Sequence, residues 1–130
     1  MGIVYRRLAA RRDLISHYVY LFENAGEAVA DRFLDNAKDS FDELLRHPKI
    51  GAPLTLRRPE LAGLRKWQVR DFDNFLIFYQ PRGNDISIVR VMHAAQDWWS
   101  LFEIAHYSMS KPVVEILFHS IRITIKSEQK

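Results

Sequence analysis

The chain has 130 residues, 48% of them hydrophobic and 27% charged, the balance of a single globular domain with a modest core; disordered and fibrous classes are excluded. Lys and Arg number 19 against 16 Asp and Glu, a formal net charge of +3 with a pI near 9.3, so where the cations sit matters more than their total. Cysteine is absent, which removes disulfides, a thiolate nucleophile and thiolate metal ligation and fits a reducing cytoplasm. The longest apolar stretches fall far short of the ~20 residues that cross a membrane, and the basic start, Met1 to Arg7, is followed by Arg11, Arg12 and Asp13 where a secretion signal needs an apolar run.

In chain order, residues 3–6 are a short β-prone opening. Leu8, Ile15, Tyr18, Val19 and Phe22 recur at helical spacing and predict a first helix over 8–23. Asn24-Ala25-Gly26 breaks it. Ala30, Phe33, Leu34, Ala37, Phe41, Leu44 and Leu45 then form the most regular apolar stripe in the chain and predict a second helix over 27–47. So short a connection implies an antiparallel helical hairpin whose apolar faces need a cover. Pro48 ends it, and 48–63, with three of the five prolines, reads as an ordered loop. Three β-segments follow, 64–70, 75–80 and 85–93, separated by Asp71-Phe72-Asp73-Asn74 and Arg82-Gly83-Asn84, which are turn sequences. The expected fold is α+β, in the order β-α-α-β-β-β, with a helical hairpin on one face of a small antiparallel sheet and an extra C-terminal segment.

Pairing Arg82 with Asp85 and Arg70 with Phe75 and counting outward divides the meander into two faces. Trp67, Phe78, Val89, Val69, Leu76 and Val91 form the side expected against the helices. The other side is expected to show Lys66, Tyr79 and Ile88, then Gln68, Ile77 and Arg90, then Arg70, Phe75 and Met92, cations interleaved with aromatic and aliphatic groups. Such a face suits a phosphate backbone, with Lys66, Arg70 and Arg90 on the charges and Tyr79 or Phe75 stacking. It equally suits a segment of a partner protein that buries Phe75, Ile77, Ile88 and Met92. The region 53–70 adds Arg57, Arg58 and Arg65 against one acid, Glu60, a basic surface towards an anionic partner.

Ala10-Arg11-Arg12-Asp13-Leu14, Ala30-x-x-Phe33, His47-Pro48-x-Ile50-Gly51, Gly63-Leu64-Arg65, the strand 75–79 and the run from Ile88 through Val91-Met92-His93-Ala94-Ala95-Gln96-Asp97 follow one another as landmarks do in RelE/ParE toxins of type II toxin–antitoxin systems. The chain resembles that superfamily over roughly 4–98. The resemblance implies one of two activities. RelE-like members cut messenger RNA on the ribosome, and ParE-like members poison DNA gyrase. For RNA cleavage the counterparts here are Lys66 and Arg90 as cations and His93 as the proton-transfer group, although the register turns His93 towards the helices, where bonding to backbone is its ordinary role. The chain has Gln96 where many members carry a basic residue and has no basic, tyrosine-bearing end to the domain, so it resembles the ParE (plasmid stabilisation) branch more closely. Arg65 is expected to serve structure, pairing with an acid of the first helix such as Asp13.

The expectation is therefore a cytoplasmic ParE-like toxin, with residues 1–103 as the toxin domain, acting on DNA gyrase and neutralised by a cognate antitoxin. The alternatives are a RelE-like endoribonuclease acting on the ribosome and messenger RNA, and an inactive interaction scaffold of the same fold. The histidines show no metal-ligand spacing, and no phosphate loop or nucleophile motif is present, so neither metal nor cofactor is expected. Trp98, Trp99, Leu101 and Phe102 are expected by default to pack into the core, with capping of the open sheet face or contact with a second copy as alternatives. Residues 104–130 form an extension readable as an added strand or a helix, and as a cover for the functional face, a contact between copies or a disordered tail.

Overall fold

The computed structural model describes residues 2–103. Strand β1 (Val4–Arg6) leads into helix α1 (Leu8–Ala25) and helix α2 (Glu27–Arg46). A two-residue strand β2 (Ala52–Pro53) and a 3-10 turn (Pro59–Leu61) follow, then β3 (Arg65–Val69), β4 (Phe72–Arg82), β5 (Asp85–His93) and a short helix α3 (Trp98–Leu101). The β-α-α-β-β-β order expected from the sequence is present, with β2 added from the proline-rich loop. The sheet has five strands in the order β1-β5-β4-β3-β2. Its meander β3-β4-β5 is antiparallel as expected, but β1 pairs with β5 in parallel, so the sheet is mixed. The helical hairpin supplies the crossover that a parallel pairing requires.

Gly26 alone joins the two helices. Its φ of 96° is open to glycine, its N–H closes α1 on the Phe22 carbonyl, and its own carbonyl accepts the first bond of α2 from Ala30. The stripe predicted on α2 is the one buried: Ala30, Phe33, Ala37, Phe41 and Leu44 are at most 1% exposed. They meet Val69, Phe75, Ile77, Tyr79, Ile86, Ile88 and Val91 from the sheet. A second, smaller core lies on the opposite side, where Leu61, Leu64, Trp98 and Phe102 close over Phe78, Val89 and Met92.

The sheet register corrects the expected faces, for three physical reasons. The β3-β4 reversal is tight, at Arg70-Asp71, with Val69 opposite Phe72 and Asp71 at φ 63°; Asp tolerates this left-handed conformation better than most residues. That turn alone would set Lys66 opposite Phe75, but a register shift between Gln68 and Val69 inserts three extra residues of β4, so Lys66 pairs with Phe78 and Trp67 with Ile77, one residue away from the count based on a longer turn. The β4-β5 count holds from Arg82↔Asp85 to Tyr79↔Ile88 and then slips, because Val89 bulges out and Phe78 meets Arg90. A one-residue slip reverses a strand. Phe75, Ile77, Tyr79 and Ile88 lie beneath the helices, whereas Phe78, Val89 and Leu76 belong to the second core. Trp67, Val69 and Val91 face the helices as expected. The strand or helix considered for the C-terminal extension lies outside the described residues.

Candidate functional site

The residues expected to form one binding face are dispersed. Lys66 stays on the side away from the helices, with its ammonium 4.9 Å from the centre of the Trp98 ring, and burial there lowers its pKa. Gln68 is exposed, Met92 is buried in the second core, and Arg70 reaches back to Glu43 of α2 at 3.6 Å. Phe75, Ile77, Tyr79 and Ile88 are core residues. The Tyr79 hydroxyl donates to the Pro48 carbonyl at 2.8 Å and accepts from the Gly51 N–H at 2.9 Å. Burial raises its pKa, and any side chain at Gly51 would meet the Tyr79 hydroxyl oxygen at 2.6 Å, so this phenol anchors the loop after α2.

The trio suited to RNA cleavage does not assemble. Arg90 gives both arms of its guanidinium to Asp13 of α1, Nε to Oδ2 at 2.7 Å and Nη2 to Oδ1 at 2.8 Å, and the same Oδ2 accepts the Val91 N–H at 2.9 Å. The fork is bidentate and its charge is spent on holding α1 to β5. Asp13 was expected to take Arg65. Arg65 instead donates to the carbonyls of Lys49 and Gly51, at 3.1 and 2.7 Å, and so fixes the same loop as Tyr79. His93 lies on the helix side, edge-on to Phe75 at 5.0 Å, and its Nδ1 accepts from the Ala95 N–H at 3.0 Å. Burial first, and then the neighbouring His17, lower its pKa to about 4, which makes it a weak base. His17 packs on the same Phe75 at 4.9 Å and shares a 2.7 Å hydrogen bond with the Val91 carbonyl, in which its Nε2 is the donor. Gln96 accepts from the His93 N–H at 2.7 Å and closes the end of β5.

The face opposite the helices is closed by aromatic packing. Phe78 stacks between Trp98 at 5.4 Å and Phe102 at 4.6 Å. Asp97 caps the short α3 through the Ser100 N–H at 3.3 Å. The expectation that this segment packs into the core or caps the sheet holds for Trp98 and Phe102, while Leu101 is 42% exposed.

Among the described residues, four of the exposed large apolar side chains lie on α1. Leu8, Ile15, Val19 and Phe22 are 61%, 65%, 46% and 47% exposed. The residues that α1 buries are Ala10, Leu14 and Leu21. With 3.6 residues per turn the two sets are centred roughly 130° apart, so the helix is apolar on two sides and only one meets the core. The regular spacing of Leu8, Ile15, Val19 and Phe22 was legible as a helix. The further signal was the second stripe: a helix needs one apolar face to join a domain, and two mean two interfaces. Beside the exposed stripe a cleft of about 320 Å³ runs between the helices, lined by Leu14, Ile15, Tyr18 and Leu34 and bordered by Arg6, Arg11 and Lys38.

The described elements thus form a helical hairpin packed on a mixed five-stranded sheet, with an apolar stripe left exposed on its first helix. The family model for the ParE toxin of the type II toxin–antitoxin system parDE matches residues 4–98, and the chain belongs to that family. A solved structure of a chromosomal ParDE toxin–antitoxin system from P. aeruginosa is similar in fold, with a TM-score of 0.57 and 19% identity over 72% of this chain and 95% of the other. No curated protein sequence matches. Among the described residues no helix is long and apolar enough to cross a membrane, and no group of three or more His, Cys, Asp or Glu could hold a metal.

Proposed function

We propose that this member of the ParE toxin family inhibits growth by binding a protein target, DNA gyrase, and that a cognate antitoxin neutralises it by laying an amphipathic segment along the outer stripe of α1. The exposed row Leu8, Ile15, Val19 and Phe22 carries this reading, because an apolar stripe on a stable helix is removed from water most directly by another apolar surface. The cations of the adjoining cleft favour a partner segment with acidic residues beside its apolar ones. The RNA-cleaving alternative loses support because Arg90 is neutralised, His93 is turned under the helices and Lys66 sits over Trp98. Gyrase places the site of action in the cytoplasm.

The test is induced expression in a bacterial host with messenger RNA ends mapped and a DNA-damage reporter read in parallel. Reporter induction with intact messages is expected, and Lys66→Ala should leave toxicity within about twofold, since surface changes away from a working site are nearly neutral. Cut messages that disappear in Lys66→Ala would overturn the reading. Co-expression with the antitoxin should rescue growth of the unaltered toxin, while Ile15→Asp with Val19→Asp should keep the fold and lose the rescue.

A further inference from the structure

At the rim of the sheet, on the side away from the helices, two arginines converge on one neutral oxygen. Arg7 donates through Nη2 to Gln80 Oε1 at 2.6 Å and through Nε to Ser87 Oγ at 3.1 Å, and Arg82 donates through Nη2 to the same Gln80 oxygen at 3.2 Å. The amide is fixed from behind: Gln80 Nε2 donates to the carbonyls of Glu60 and Ala62, at 3.2 and 3.1 Å, so its oxygen faces the arginines. Gln80 and Ser87 are 3% and 6% exposed, and both project from the sheet as built parts of it. Neither arginine joins an ion pair among the described residues. The nearby acids are engaged elsewhere: Glu60 with Arg58 at 2.8 Å, and Asp85, opposite Arg82 in the ladder, with the Ile3 N–H at 2.8 Å. Burial, and then the charge of Arg82, lower the pKa of Arg7, as expected for like charges that no anion has separated. Each guanidinium carries five N–H donors, so both keep most of theirs for a ligand.

We propose that Arg7 and Arg82, clasped on the Gln80 amide, form a site for a phosphate group, and that the phosphate belongs to a nucleic-acid backbone. The planar forks suit phosphate oxygens, and a bound phosphate removes the repulsion between the two cations. A repeating polyanion is favoured over a single carboxylate because further cations, Arg46 and Lys49, border a cleft on the other side of the β4-β5 turn. There Pro81 and Gly83, the neighbours of Arg82, line an open cleft of about 640 Å³ together with Arg46, His47 and Lys49. Cations on both sides of one turn match charges repeated along a strand better than one isolated acid. This site is separate from the α1 stripe and needs neither the antitoxin nor gyrase.

The experiment uses the full chain. Binding of a fluorescent duplex oligonucleotide is measured by anisotropy over a range of salt, and inorganic phosphate and a glutamate-rich peptide are titrated separately by calorimetry. The duplex should bind without sequence preference. Arg82→Gln, at an exposed position, should weaken it and lower the slope of log affinity on log salt by about one, with Arg7→Lys closer to wild type than Arg7→Gln. Melting curves establish that each variant is folded. Competition by inorganic phosphate that is lost in Arg82→Gln supports the site. Phosphate binding without duplex binding would overturn the nucleic-acid assignment in favour of a small phosphate ester. Peptide binding without phosphate binding, or unchanged duplex affinity in folded Arg82→Gln, would overturn the proposal as a whole.

Discussion

Arg90 lies on β5 and Arg7 just past the end of the neighbouring β1, and the protein treats them in opposite ways. Arg90 meets a carboxylate in a bidentate fork, Asp13 also takes the Val91 N–H, and the charge is consumed in fastening α1 to β5. Arg7 meets a neutral amide shared with a second arginine, which positions the group and leaves its charge available. The same side chain is therefore structural in one region and ligand-ready in the other, and the difference lies in the acceptor. That difference predicts unequal responses to mutation. Asp13→Ala strands a partly buried guanidinium and an N–H together, and should cost about 2–4 kcal/mol in urea unfolding. Arg7→Ala removes bonds to neutral partners and should cost about 1 kcal/mol. Equal losses from the two variants would dissolve the distinction.

The helix side of the sheet also keeps its histidines neutral, which gives the comparison a pH dependence. His93 is held to about 4, and His17 is lowered in the same direction by burial, partly offset by its bond to the Val91 carbonyl and by Asp13, with Arg90 opposing. The unfolded chain takes up a proton near the ordinary histidine value of about 6.5, before the folded chain does, so it binds more protons through the interval between. Stability should be full above pH ~6.5 and fall as the pH drops towards about 4, by on the order of 2 kcal/mol once the partial exposure of the ring is allowed for. His93→Asn, whose amide oxygen can accept the Ala95 N–H in place of Nδ1, should flatten much of that slope. An unchanged slope in this variant would mean that the acid sensitivity arises elsewhere. The arginine rim does not titrate in this range.

The element order was legible because α2 is amphipathic with one clear face, and because Gly26, Pro48 and Gly83-Asn84 punctuate the chain. The faces of the sheet were not legible, and β4 shows why. Phe75, Ile77 and Tyr79 alternate with Leu76 and Phe78, so both sides of the strand are apolar, and both are covered, one by the helices and the other by Leu61, Leu64, Trp98 and Phe102. A strand buried on both faces has no polar side to fix its register. The three irregularities that decide the matter, the left-handed Asp71, the shift between Gln68 and Val69 and the bulged Val89, carry no glycine to announce them. His93 was placed correctly beneath the helices, because the slip at Val89 lies within β5 and does not alter the alternation of its last residues. The Arg7-Gln80-Arg82 cluster joins residues more than 70 apart, and nothing in the local pattern around Gln80 distinguishes its amide from a solvated one.

The finest test of the comparison converts the second region into the first. Gln80→Glu changes one amide into a carboxylate at nearly constant shape, giving Arg7 and Arg82 the kind of acceptor that Arg90 has. The gain is opposed at the other end of the side chain. The carbonyls of Glu60 and Ala62, which take both amide hydrogens in the native protein, would face a carboxylate oxygen with no donor to offer. These effects are of similar size and opposite sign, so the net change in unfolding free energy should stay within about 1 kcal/mol. Phosphate affinity should fall much further, because an internal anion now occupies the space between the guanidiniums. A folded Gln80→Glu protein that binds phosphate as well as wild type would show that the charge left open at the rim has no bearing on a ligand; lost binding at nearly unchanged stability would show that the neutrality of Gln80 is what keeps the site available.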